Sequence, residues 1–202
     1  MKGSDRRGRK LPAEILTDAE VQALLAGCSR KAPTGIRNRA LLALLYRGGL
    51  RISEALALRP KDLDADSGTV RILAGKGNKA RTVGLDAGAF AVIELWLAAR
   101  RKKRVGHQAP LFCTLAGKPI KAAYIRALLP RLARKAGIEK RVHAHGLRHT
   151  HAAQLAAEGI PLNVIQAQLG HSNAATTSRY LQHIAPQELV MAMRKREWSA
   201  GA

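Results

Sequence analysis

Aromatic residues are scarce in this chain: two phenylalanines, two tryptophans and three tyrosines make up 3% of its 202 residues. Hydrophobic residues still reach 47%, mostly alanine and leucine. That balance argues against disorder and against an all-β sandwich, and favours a helix-rich globular domain. Cysteine is almost missing. Cys28 and Cys113 stand alone, without the CxxC spacing of a metal or redox site and without a disulfide framework, which fits a reducing, cytoplasmic setting. No apolar run is long enough to span a bilayer, and the basic N-terminus has no apolar signal region behind it. Acidic residues are also few, 14 against 35 lysines and arginines, which leaves a net charge of +21. An excess of that size, spread along the chain, asks for a polyanionic partner, and nucleic acid is the economical one.

What is present divides into an arm, a body and a tail. Residues 1–15 carry Lys2, Arg6, Arg7, Arg9 and Lys10 and read as a flexible basic arm. Thr17-Asp18-Ala19-Glu20 is a capping box that opens a helix ending near Gly27. Ile36 to Arg47 is a second helix with a wide leucine face, stopped by Gly48-Gly49, and Leu50 to Leu58 is a short third.

The period then changes. Val70, Ile72 and Leu63 suit short strands, Arg81-Thr82-Val83 returns, and Lys76 falls near the tip of the intervening hairpin. Asp86 to Arg100 is an amphipathic helix built on Phe90, Ile93, Leu95 and Leu97, running out into a solvated basic end, Arg100 to Arg104. A loop at 108–119 holds a possible strand at Leu111-Phe112. Lys121 to Ala136 is helical with a kink or break expected at Pro130, Gly146 to Glu158 and Leu162 to Leu169 are helices, and Ala174 to Tyr180 and Pro186 to Trp198 are the last two. The fold class is mainly α with a small antiparallel β-hairpin sheet. Residues 16–185 form one domain, and 186–202 form a terminal helix or tail.

Tyr180 is the oddest aromatic. It sits nine residues after His171 in a polar, hydroxyl-rich segment, as a presented side chain does and a packing one does not. Breaking a phosphodiester needs a nucleophile, cations for the non-bridging oxygens and a proton for the departing oxygen. Arginine is the best clamp because its planar fork binds bidentately and keeps its charge. Arg51 follows a diglycine at a helix start, where anions are favoured. Lys76 lies between glycines, and His145 and Arg148 are three apart around a helix start, so they share a face. His171 follows Gly170. Other readings exist: Arg51 and Glu54 as a surface ion pair, Lys76 as a solvated turn lysine with Lys79 its competitor, and His143, His145, His149 and His151 as a metal site, which lacks acidic or cysteine partners at ligand spacing. Tyr46 and Tyr124 sit in apolar helices and suit packing.

Gly49-Leu50-Arg51-Ile52-Ser53-Glu54, Gly75-Lys76-Gly77-Asn78-Lys79, His145-Gly146-Leu147-Arg148-His149, Leu169-Gly170-His171-Ser172 and Tyr180 occur in an order and spacing that resemble the tyrosine recombinase (phage integrase) family, in its Xer-like form. The resemblance covers roughly Leu16 to Pro186. It implies that Tyr180 attacks the scissile phosphate of double-stranded DNA and forms a 3′-phosphotyrosyl link. Arg51 and Arg148 would clamp the phosphate, Lys76 would be the general acid, and His145 and His171 would assist. Glu54 would orient Arg51.

No metal or nucleotide cofactor is implied. The expected partners are DNA and further copies of the chain, as a tetramer of two dimers, with accessory proteins in addition. The expected setting is the bacterial or phage cytoplasm, at the nucleoid. The helical domain that family members usually carry ahead of the catalytic part is not expected here. Two other readings stand beside recombination: type IB topoisomerase-like activity, and a DNA-binding module that regulates a partner recombinase without turnover.

Overall fold

The computed structural model describes residues 14–73 and 80–170, together with Arg194. The chain runs α1 (Asp18–Ala26), α2 (Pro33–Arg47), α3 (Ile52–Ala57), a turn of 3-10 helix (Pro60–Asp62), β1 (Leu63–Asp64), β2 (Thr69–Ile72), β3 (Arg81–Gly84), α4 (Ala87–Lys102), α5 (Ala122–Lys135), α6 (Ala144–Ala157) and α7 (Leu162–Leu169). This is the mainly helical class with one small antiparallel sheet that the sequence predicts. Residues 1–13 of the basic arm, Lys76, His171, Tyr180 and, apart from Arg194, the two C-terminal helices fall outside the described residues.

The body is organised around α2. Every residue from Ala40 to Tyr46 is buried, so the helix is apolar on all sides and must be covered all round. It lies along α4 and also meets α1, α3 and α6. At about 1.5–3 kcal/mol for each fully buried leucine, Leu41, Leu42, Leu44 and Leu45 make this contact the main source of cohesion. Pro33 occupies its first turn, which starts the helix three residues earlier than the leucine periodicity alone suggests. The Thr17 capping box at α1 forms as expected: Thr17 Oγ1 accepts from the Glu20 amide at 3.2 Å and Glu20 accepts from the Thr17 amide at 2.7 Å.

The sheet has the order β1-β2-β3, antiparallel throughout, with Val70 opposite Val83 and Ile72 opposite Arg81. Val70, Ile72 and Val83 face the core, so Arg81 lies on the same inward face. α7 packs on α6 and on β3, burying Ile165 and Leu169 against Ala152 in a second, smaller cluster.

Four expectations are corrected. Leu95 is 60% exposed, and the buried residue on that helix is its neighbour Trp96, whose indole donates to the Leu111 carbonyl at 2.7 Å. Arg100 is not part of a solvated end. It is buried, and it donates to the Leu111 carbonyl at 2.6 Å and to those of Gly106, Ala109 and Pro110, so it pins the following loop. α5 runs through Pro130 without a break, because Pro130 and Arg126, whose carbonyl loses its donor, both face water. The expected strand at Leu111-Phe112 is only a single bridge between Cys113 and Pro119. Among the described residues no helix is long and apolar enough to cross a membrane.

Candidate active site

Arg51, His145 and Arg148 are the three predicted site residues within the described parts, and the fold brings them to one place. Arg148 is 3% exposed, in the second turn of α6. A buried guanidinium needs acceptors, and it takes them from two helix ends. It donates to the Gly49 carbonyl at 2.5 Å, just past the end of α2, and to the Leu169 carbonyl at 2.6 Å, at the last residue of α7. Terminal helix carbonyls have no intrahelical partner and sit at the negative pole of the helix, so a cation between two of them is favoured twice.

Gly49 makes this approach possible. Its φ is +60°, and a Cβ there would come within 2.7 Å of the His151 ring and 2.8 Å of the Leu169 side chain. Only glycine lets the α2–α3 turn lie this close to α6 and α7.

Arg51 is the cap residue of α3, two positions after Gly49. Its amide donates to Glu54 at 2.9 Å and its guanidinium donates to the other Glu54 oxygen at 2.7 Å. The helix end is therefore already occupied by a carboxylate. Any attraction for an anion at this point comes from the guanidinium, whose side chain remains 30% exposed, and not from the start of a six-residue helix.

Glu54, in contrast, is buried, which replaces the surface-pair reading. A second guanidinium explains how a carboxylate can lie there. Arg81, from β3, donates to both Glu54 oxygens at 2.9 Å. Burial pushes the Glu54 carboxyl up, but the Arg81 side chain, the Arg51 amide and the Arg51 side chain together bring it down to about 2.

His145 lies at the solvent edge, on the first turn of α6. Its ring meets that of His149 edge to face at 4.3 Å. Its pKa is lowered, first by partial desolvation and then by Arg148, His143 and Arg51. Both arginines thus bear on the same imidazole, and the bond from Arg148 to the Gly49 carbonyl, two residues before Arg51, brings their elements together.

Tyr46 and Tyr124 are engaged elsewhere, as packing tyrosines. Tyr46 donates to Gln154 at 2.5 Å, and the Tyr124 hydroxyl meets Arg37 at 2.9 Å and Asn38 at 2.8 Å.

Arg81 is the residue that motif reading passes over. The signal is in the strand: alternation places Arg81 in phase with Val83, on the buried face, where a charge requires a partner. Gln168 is a second omission. Its side-chain amide accepts from the Gly84 amide at 3.0 Å and donates to the Gly84 carbonyl at 2.8 Å, so it pairs with β3 as a short strand would.

The phage integrase family model matches residues 14–187. A tyrosine recombinase XerC from Xanthomonas campestris pv. campestris (strain B100) is 40% identical over 181 residues, covering 88% of this chain and 54% of the relative. The chain thus spans about half the length of the curated relatives it matches. Among solved structures, the XerA recombinase superposes with a TM-score of 0.79 at 28% identity, covering 91% of this chain and 66% of that one. The XerH site-specific recombinase, bound to palindromic difH substrate in a post-cleavage complex, gives 0.76 at 31% identity, covering 95% of this chain and 55% of that one.

Proposed function

Because the chain belongs to the phage integrase family, we propose that it breaks and rejoins double-stranded DNA at specific sites through a 3′-phosphotyrosyl intermediate on Tyr180. The observation that carries this reading is the pair of anchored guanidiniums, Arg51 on Glu54 and Arg148 on the carbonyl of Gly49, two residues before Arg51. Two permanent cations are held rigidly, one by a buried carboxylate and one by two helix ends. Such a pair is preorganised to stabilise charge as it gathers on a phosphate, which is where electrostatic catalysis is strongest. The relatives' names, and the XerH complex with its cleaved substrate, support the same reading.

In this mechanism the Tyr180 phenol passes its proton to the site's histidines as its oxygen bonds to phosphorus, and the bond to the 5′-oxygen breaks. Lys76 gives the departing oxygen its proton. Arg51 and Arg148 bind the non-bridging oxygens, and His145 and His171 orient them and assist proton movement. A 5′-hydroxyl from a second strand then attacks the phosphotyrosine, which restores the phenol and conserves the bond. Because the ester energy is kept in the intermediate, the cycle asks for no metal and no nucleotide. The roles of Lys76, His171 and Tyr180 rest on the motifs that carry them. We place the catalytic unit at residues 16–185, with the basic arm on DNA and residues 186–202 docking on a neighbouring copy. Two copies on each of two sites would make a tetramer, and two reduced thiols, Cys28 and Cys113, suit the cytoplasm.

The test is a nicked suicide duplex carrying a site that the chain selects from random sequence. The wild type should form an SDS-stable protein–DNA adduct, and Tyr180→Phe should bind equally well and form none. Binding by the wild type without an adduct would make the chain a DNA-binding module instead.

A further inference from the structure

Side-chain contacts and two short stretches of chain around the candidate site close into a ring. From Gly49 the chain leads through Leu50 to Arg51, which is bonded to Glu54; Glu54 is bonded to Arg81. Arg81 lies against Gly170, since a Cβ at Gly170 would fall 2.7 Å from the Arg81 Cδ and Nε atoms and 2.9 Å from Cζ. Gly170 follows Leu169, whose carbonyl accepts from Arg148, and Arg148 returns to the Gly49 carbonyl. Arg81 is the member with no place in the mechanism above. It is also the only one that comes from the sheet.

Its geometry is that of a spacer. Both terminal nitrogens are spent on Glu54, and the Cδ–Nε–Cζ part of the side chain lies against Gly170, whose φ of +63° and lack of a Cβ allow the approach. The Glu54 carboxylate therefore has one side fixed by Arg81, and its remaining capacity holds Arg51 through both the amide and the guanidinium. Without Arg81 the carboxylate would be free to rotate toward Arg51 or to leave the interior, and either movement carries the Arg51 fork with it.

Resting on the clamp reading of Arg51, we propose that Arg81 is a positioning residue: through the shared Glu54 carboxylate it sets where the Arg51 guanidinium meets the scissile phosphate, and through Gly170 it keeps the Leu169 anchor of Arg148 in the same frame. Arg81 itself touches neither DNA nor the reacting atoms.

The experiment compares adduct formation on two nicked duplexes, identical except that one scissile phosphate is a methylphosphonate, whose neutral centre needs less cationic help. The proteins are the wild type, Arg51→Ala, Arg81→Met and Arg81→Lys, each checked for folding by circular dichroism. A misplacement of about 1 Å at a clamp can cost on the order of 100-fold. Arg81→Met should therefore lose roughly that factor on phosphate and less than about tenfold on methylphosphonate, so that its rate ratio falls toward that of Arg51→Ala. Arg81→Lys, which keeps the charge but loses the fork, should lie between. Equal losses on both duplexes would overturn the proposal and leave Arg81 as a packing residue, as would an unchanged rate in a folded Arg81→Met. If Arg81→Met fails to fold, Arg81→Lys decides by the same ratio. If Arg51→Ala loses both substrates equally, the clamp reading of Arg51 fails instead.

Discussion

Mild acid should destabilise this protein through His151. The ring is 3% exposed, wedged where Gly49 and the Leu169 side chain close on α6, and neither ring nitrogen has a hydrogen-bond partner among the described residues. Its pKa is lowered from 6.5 to about 4, by burial first and then by Arg47 and Arg148, with Asp86 opposing. Because the folded value lies below the unfolded one, the unfolded chain takes up a proton at a pH where the folded one does not. The contribution is therefore fully present above pH 6.5 and is lost as pH falls toward 4. The whole shift corresponds to about 3 kcal/mol, of which roughly 2 kcal/mol is gone by pH 5.

Urea unfolding followed by circular dichroism at pH 7, 6 and 5 should show this loss in the wild type, and a much shallower slope in His151→Phe. At pH 7 the variant gains by removing unpaired ring nitrogens, worth about 1–3 kcal/mol, and loses a similar amount by crowding Gly49. The slope, and not the level, carries the test. Parallel curves for the two proteins would refute the reasoning.

Other consequences can be measured directly. Glu54→Ala leaves two guanidiniums facing an empty buried position and should cost about 3–5 kcal/mol in urea unfolding. In the wild type the Glu54 contribution is present above pH 4.5 and is lost as pH falls toward 2, a window below that of His151, so acid unfolding should show two separate regions. Gly49→Ala places a Cβ against His151 and Leu169 at positive φ; roughly 1–2 kcal/mol of backbone strain plus about 1–3 kcal/mol of overpacking should appear as a lowered Tm. DNA binding should weaken steeply with salt: with about 6–10 phosphate contacts, the log–log slope in filter binding should be on the order of −5 to −9, and a flat response would contradict the charge argument.

The sequence was most legible where local chemistry decides the outcome. The Thr17 box, the Gly48-Gly49 stop and the Val70/Ile72/Val83 alternation all placed elements within a few residues of their observed ends. It was least legible where a long side chain finds a distant backbone. The composition of the run Arg100 to Arg104 does not say that its first member bonds to a distant loop, and Leu95 was counted in the apolar face although helical spacing from Ile93 points to the adjacent Trp96. Arg51 and Arg148 were readable as a pair of cations. The means by which each is held were not, because they come from Arg81 and from the carbonyls of Gly49 and Leu169, far apart in sequence. Motifs record which side chains do the chemistry. The residues that hold them still are spread through the fold.

The central claim is a covalent bond between Tyr180 and a DNA 3′-phosphate, and it can be observed as such. The adduct from a suicide duplex would be digested with nuclease and trypsin and the nucleotide-bearing peptide sequenced by mass spectrometry, while the released strand is tested for end-labelling by polynucleotide kinase. The account predicts the nucleotide on Tyr180 and a 5′-hydroxyl that labels without prior phosphatase. A nucleotide on any other residue, or a released 5′-phosphate, would contradict it.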